Sequence, residues 1–299
     1  MTLSRRVILA GLPATLLACR DETVVKSAYV DPLAALGRHP APAVLRIGAT
    51  PFAGERTAKA LVPLARYLER STGVPTSTRI AERYDDLSGF VRDGEVEIGF
   101  FSPAAYVKAR DTMPAIPVAT ATRAGSPTYL GYLVVRATDP AADLAGLRGK
   151  SIAWVDPSST SGYLYPRALL RSRGLDPDTF FGRAVMAGDH DKGLDLLVEG
   201  SVEVAALTAQ VVDRPRADRA AAVRGLRVVA KTGRIPLDCL VVHAGLDREL
   251  AVRLRASLLS LAHASDVSDA LAADWGIRGF VPYSKERYDE LARVLALGA

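Results

Sequence analysis

From Val44 onward, short runs of alternating apolar and polar residues trade places with stretches whose apolar positions recur every three or four residues. Leu45, Ile47 and Ala49 alternate as a half-buried strand does. Leu61, Leu64, Ala65 and Leu68 fall at helical spacing and stop before Gly73, a residue that readily ends a helix. Thr76, Thr78 and Ile80 predict a second strand, Leu87, Phe90 and Val91 a second helix, and Val96, Ile98 and Phe100 a third strand. The order is β-α-β-α-β.

The same pattern returns later in the chain. Asp93-Gly94-Glu95-Val96-Glu97-Ile98-Gly99-Phe100-Phe101-Ser102 can be laid over Glu199-Gly200-Ser201-Val202-Glu203-Val204-Ala205-Ala206-Leu207-Thr208. In both, a helix ends at glycine, a strand follows and a hydroxyl residue closes it. Before the second copy, Ile152–Val155 reads as a strand, Tyr163–Arg173 as a helix and Ala184–Met186 as another strand. Two similar α/β lobes are implied, each a parallel sheet covered by helices, with ligands held beyond the carboxyl ends of the strands. The functional loops are then expected after Ala49, Phe101, Val155, Met186 and Leu207. Residues 114–136 and 226–242 carry further β-rich text where strands can cross between lobes. Helical text at Arg248–Ala262, Val267–Trp275 and Lys285–Leu297 completes the first lobe. The predicted organisation is a hinged clamp, with residues 44–127 and 236–299 in one lobe and 128–235 in the other.

The N-terminus differs in kind. Arg5 and Arg6 precede the apolar run Val7–Leu17, and Leu16-Leu17-Ala18-Cys19 has the form of a lipobox. The run is too short to span a bilayer, so residues 1–18 read as a lipoprotein signal peptide and Cys19 as the lipidated residue; the alternative is a short buried helix with an incidental cysteine. Ser4-Arg5-Arg6 leaves both the Sec and the twin-arginine export routes open. Residues 19–43 mix charge, proline and glycine without a sustained period and are expected to form a tether.

Composition narrows the function classes. The 299 residues are 49% hydrophobic and 24% charged, which suffices for a sizeable core, and the net charge of +5 is too scattered along the chain for a nucleic-acid groove. Of two cysteines, Cys239 lies in an apolar stretch and reads as a packing residue, leaving no intramolecular disulfide once Cys19 is acylated. The four histidines are dispersed, neither cysteine pairs with them at ligand spacing, and Walker and dinucleotide-binding glycine motifs are absent, so no metal or cofactor is expected.

The most chemical stretch is Val155-Asp156-Pro157-Ser158-Ser159-Thr160-Ser161-Gly162, between a predicted strand and a predicted helix. The first turn of a helix leaves N–H groups unpaired, and with adjacent hydroxyls these make an anion site. An ordinary N-cap needs only one hydroxyl, so the run points to a ligand. Ser102-Pro103 is a second strand-to-helix junction, open between cap and ligand contact. Tyr84 can offer a phenol O–H or pack against a lobe. His190 can be a polar helix start or a ligand contact. A hydrolase would use Ser161, His190 and Asp238 as a triad, but the Gly-x-Ser-x-Gly elbow is absent.

These motifs resemble the periplasmic phosphate/phosphite/phosphonate-binding proteins of ABC transporters, from Leu45-Arg46-Ile47-Gly48 to Gly279-Phe280-Val281-Pro282, most specifically at Val155–Leu164 with Pro166. The resemblance implies a type II periplasmic-binding-protein architecture: two Rossmann-like lobes joined by crossing strands. It implies that Ser159, Thr160 and Ser161 bind phosphonyl oxygens, with Tyr84, His190 of Ala187-Gly188-Asp189-His190 and Asp238 of Ile235-Pro236-Leu237-Asp238 completing the cage. Two positions depart from the family pattern. Phe101 stands where some members have a tyrosine, and Gln210 where an aminoalkylphosphonate binder has a glutamate. The implied function is capture of a small phosphorus oxyanion without chemistry, by a monomer that docks on an ABC permease. A sensing receptor and an enzyme on the same fold are the alternatives.

Overall fold

A computed structural model describes residues 31–51, 56–215 and 217–298. The first half runs β1 (Leu45–Ala49), α1 (Arg56–Thr72), β2 (Thr76–Ile80), α2 (Asp86–Arg92), β3 (Ile98–Phe101), α3 (Pro103–Ala109) and β4 (Ala115–Thr122). After β5 (Thr128–Tyr129) and β6 (Gly131–Arg136) come β7 (Ile152–Trp154), α4 (Tyr165–Ser172), α5 (Pro177–Phe180), β8 (Ala184–Met186), α6 (His190–Val198), β9 (Val204–Thr208), α7 (Ala209–Asp213), α8 (Ala220–Arg224) and β10 (Leu226–Lys231). The chain closes with β11 (Ile235–Pro236), β12 (Cys239–His243), α9 (Arg248–Ser260), α10 (Ser265–Trp275), β13 (Gly279–Pro282) and α11 (Lys285–Gly298).

The strands form two principal sheets, β13-β4-β12-β3-β1-β2 and β10-β6-β9-β7-β8. Each contains a parallel trio, β2-β1-β3 in the first and β8-β7-β9 in the second, as the repeated pattern predicts. Purely parallel sheets are not what forms. Next to each trio lies a strand of opposite direction, β12 beside β3 and β6 beside β9, because the chain crosses between lobes and enters each sheet from the far end. The crossing segments pair with each other as the two-stranded ladder β5–β11. The architecture is α/β with two lobes joined by crossing strands.

Each sheet is buried on both faces, which is why its central strands are almost continuously apolar. In the first lobe, Leu61, Leu64 and Leu68 of α1 pack with Leu250, Leu254 and Trp275 on one face, and Leu87, Val91, Tyr106 and Tyr288 cover the other. In the second, Leu170 and Phe180 cover one face and Leu194, Leu197 and Val223 the other. Full burial of each such leucine contributes about 1.5–3 kcal/mol.

Two further expectations change. A tether reaching to residue 43 is not what the described part shows: Pro32–Ala35 is a 3-10 turn, and Leu33 and Leu36 are buried in the first lobe's core, because two leucines three apart on such a turn present one apolar face. The helix expected to start at Tyr163 begins instead as a π-helical turn at Thr160–Leu164 that leads into α4. Cys19 and the expected signal peptide lie outside the described residues, and among those described no helix is long and apolar enough to cross a membrane.

Candidate functional site

The hydroxyl run leaves the end of β7 and is folded tightly by its own backbone. Asp156 accepts from the Ser158 N–H through its side chain (2.7 Å) and from the Ser159 N–H through its carbonyl (2.8 Å). Ser159 is the N-cap: its Oγ accepts from the Gly162 N–H at 3.2 Å. Thr160 reaches the other lobe, where its Oγ1 accepts from the Ala104 N–H in the first turn of α3 at 2.9 Å. Ser158 does likewise. Lys108 Nζ donates to Ser158 Oγ (2.7 Å), which donates to Asp85 Oδ2 (2.9 Å), so an ammonium, a hydroxyl and a carboxylate form a polarised chain across the cleft. Ser161 turns inward, with its Oγ 3.4 Å from His190 Nε2.

Gly131 makes this packing possible. A Cβ there would sit 2.8 Å from the Ser161 carbonyl oxygen, so only glycine lets the start of β6 approach the hydroxyl turn.

His190 begins α6 and is buried. Its Nδ1 accepts from the Thr208 backbone N–H at 3.1 Å, which assigns the proton of the neutral ring to Nε2, the nitrogen facing Ser161. Burial, reinforced by the Arg123 charge, lowers its pKa to about 3. A neutral ring that can only donate at Nε2 cannot take a proton from Ser161, and its Nδ1 is filled by backbone rather than by Asp238. The triad alternative therefore fails on geometry.

The first lobe faces this turn with a different set. Asp238 precedes β12 and is buried against Arg123, whose Nη2 lies 3.8 Å from its Oδ2. Burial raises the Asp238 carboxyl above its usual range, with Arg123 opposing. Arg123 leaves the end of β4, donates from Nε to the Trp275 carbonyl (3.1 Å) and lies 5.4 Å from the Tyr129 ring centroid. Arg123, Asp238, Thr50, Phe100, Trp275 and Ile277 enclose a small cavity. Tyr84, in the turn before α2, and Tyr129, on crossing strand β5, are both held protonated, chiefly by burial and then by the charges around them. Ser102 directly follows β3; its N–H donates to Thr50 Oγ1 at 3.2 Å, while its own Oγ is buried with no protein partner.

The fold thus gathers Ser161, His190 and the Thr160 turn on one side and Ser102 and Asp238 on the other, with Tyr84 within electrostatic reach of Asp238. Ser159 is engaged as a cap. Gln210 sits at the edge of this group: its amide packs against Gly276, where a Cβ would lie 2.5 Å from Nε2, and it lines one cleft with His190, Arg214, Arg219 and Arg278 and another with Arg123 and Tyr129. Phe101 is fully buried in the core of the first lobe. Sequence reasoning missed Thr50, Arg123, Tyr129, Thr208 and Trp275. Two of them had a signal: Thr208 by its place opposite Ser102 in the repeat, and Thr50 by following Ala49, where a functional loop is expected.

Residues 47–288 match the family model for the periplasmic phosphonate substrate-binding protein of ABC transporters. The chain belongs to that family. A curated relative, the phosphate-import protein PhnD of Mycolicibacterium smegmatis, is 28% identical over 228 residues, 72% of this chain and 70% of that one. Among solved structures, a binding-protein component of an ABC phosphonate transporter from Pseudomonas aeruginosa has a TM-score of 0.76 at 21% identity, covering 85% of this chain and 86% of that one. PhnD1 from Prochlorococcus marinus, in complex with methylphosphonate, has a TM-score of 0.73 at 19% identity, covering 85% and 97%. These two likenesses establish the type II periplasmic-binding-protein fold. Members of the family are extracytoplasmic substrate-binding components of transporters, so the chain is a binding protein and not an enzyme.

Proposed function

We propose that this protein captures a small phosphorus oxyanion, phosphite, phosphate or a simple alkylphosphonate, and presents it to an ABC permease as a monomer anchored to the membrane through lipid on Cys19. The observation that carries the ligand class is the balance of the cage. Ser161, Tyr84, Tyr129 and the His190 Nε2–H are neutral donors, whereas Asp238 is a buried acceptor with a raised pKa. A tetrahedral oxyanion that keeps one proton satisfies both kinds of group, since its charged oxygens accept and its P–OH donates to Asp238. The names of the relatives, which import phosphate or bind methylphosphonate, support the same class.

A thermal-shift screen with phosphite, phosphate, methylphosphonate, 2-aminoethylphosphonate and sulfate tests the ligand class. A ligand at about 100 times its Kd stabilises by roughly 2.7 kcal/mol, so one of the phosphorus oxyanions should raise the melting temperature while sulfate does not. Failure of all the phosphorus compounds sinks the reading. The anchor is tested separately: Cys19→Ser protein is expected to lose its partition with membranes, and unchanged acylation would refute it.

A further inference from the structure

Ser102 and Thr208 occupy equivalent places in the two lobes, Ser102 directly after β3 and Thr208 as the last residue of β9. Both residues have the extended backbone of an N-cap, Ser102 before α3 and Thr208 before α7, yet neither side chain caps its helix. Both hydroxyl oxygens are buried with no protein hydrogen-bond partner; Ser102 is 5% exposed and Thr208 0%. A buried hydroxyl that declines an available cap and finds nothing else is costly unless another group uses it.

The ladder shows where Thr208 points. It stands directly opposite Gly131 in the antiparallel pair β6–β9, and opposed residues project to the same face. On that face a Cβ at Gly131 would meet Ser161, so the Thr208 side chain projects toward the hydroxyl turn. Its N–H meanwhile holds His190, whose other nitrogen faces Ser161. In the first lobe the β3–β12 ladder ends at Phe101 opposite Cys239, which puts Ser102 and Asp238 at the next opposed positions. Ala104, two residues past Ser102, is bonded to Thr160. The two orphaned hydroxyls thus flank the same turn from the two lobes.

We propose that Thr208 is a ligand-binding residue, and that Ser102 and Thr208 form a pair of hydroxyl donors, one from each lobe, that grip the oxyanion when the lobes close. The assignment rests on the oxyanion reading above. It makes an unusual forecast: removing the hydroxyl harms binding without harming the unliganded fold, because an apolar group of the same shape relieves the orphaned polar atom.

The test is calorimetric titration of the full chain with phosphite, phosphate and methylphosphonate, alongside melting of the unliganded protein, for wild type, Thr208→Val and Thr208→Ser. Thr208→Val is expected to weaken the best of these ligands by about ten- to a hundredfold, the value of a hydrogen bond to a charged group, with an unchanged or raised melting temperature. Thr208→Ser, which keeps the oxygen, should stay within about threefold of wild-type affinity. Wild-type affinity in Thr208→Val overturns the assignment and leaves the oxyanion reading standing. A lowered melting temperature in Thr208→Val, with affinity lost equally in Thr208→Ser, also overturns it by showing a structural role. Wild-type protein that binds none of the three overturns the oxyanion reading and this assignment with it.

Discussion

The ends of two equivalent strand pairs, β3–β12 in the first lobe and β9–β6 in the second, share a scaffold and differ in what stands opposite the closing hydroxyl. In the first lobe Ser102 comes up against Asp238, a buried carboxyl held next to Arg123. In the second Thr208 comes up against Gly131, which adds nothing of its own and so leaves room for the Thr160–Ser161 turn. One scaffold therefore serves two purposes. On the proposed reading both lobes contribute neutral donors, and the first alone adds a charged pair, Asp238 and Arg123, to read the protonation state of what is gripped.

The largest effect should come from emptying the second lobe's side. Thr160→Ala combined with Ser161→Ala removes two hydroxyls of the turn, each worth about ten- to a hundredfold if it meets a charged oxygen, and Thr160 also holds Ala104 across the cleft. Affinity in calorimetry is expected to fall by at least about a hundredfold with little change in the unliganded melting temperature. A double variant that binds like wild type would remove the turn from the site.

On the first lobe's side the effect is a change of pH profile. If Asp238 accepts the ligand's remaining proton, wild-type affinity should fall about tenfold per pH unit above the ligand's second pKa, near pH 6 for phosphoryl esters, because the competent fraction falls that way. Asp238→Asn can donate as well as accept and should flatten this decline even where its best affinity is lower. His190 does not confuse the reading, since its pKa is lowered to about 3 and it stays neutral throughout this range. A wild-type affinity constant to two units above the ligand's second pKa, or an Asn variant with the same decline, would sink the distinction between the lobes.

Closure itself should contribute less. Ser158→Ala interrupts the Lys108–Ser158–Asp85 chain, but Lys108 is exposed and its share is screened, so roughly a threefold loss is expected, seen mainly as faster ligand release. A loss as large as that of the Thr160 and Ser161 double variant would make Ser158 a ligand contact instead. Smallest of all, Gln210→Ala should change affinity for phosphite or phosphate by less than about twofold, because its amide packs on Gly276, and wild type should show no preference for 2-aminoethylphosphonate. An aminoalkylphosphonate bound tenfold tighter than its unsubstituted counterparts would make Gln210 a ligand contact.

Much of this was written in the chain. The alternation at Leu45–Ala49 and the helical spacing of Leu61–Leu68 place β1 and α1, and the text repeated at 93–102 and 199–208 places the equivalent strands of both lobes. The run Ser158–Ser161 marks the turn by composition alone, and family likeness brings Tyr84, His190 and Asp238 into view. What the hydroxyls do was decided only by the fold. Ser159 turns back to cap Gly162, Ser158 and Thr160 cross to the other lobe, and Ser161 meets His190. Arg123 and Trp275 become neighbours across 152 residues of chain, and Tyr129 joins them from a crossing strand too short to show a period. The physical reason is that periodicity records which face of its own element a residue occupies, a local property of the backbone. A hydroxyl's partner is fixed only when elements distant in sequence come within about 3 Å of each other, so the same run of serines reads alike whether it caps, latches or binds.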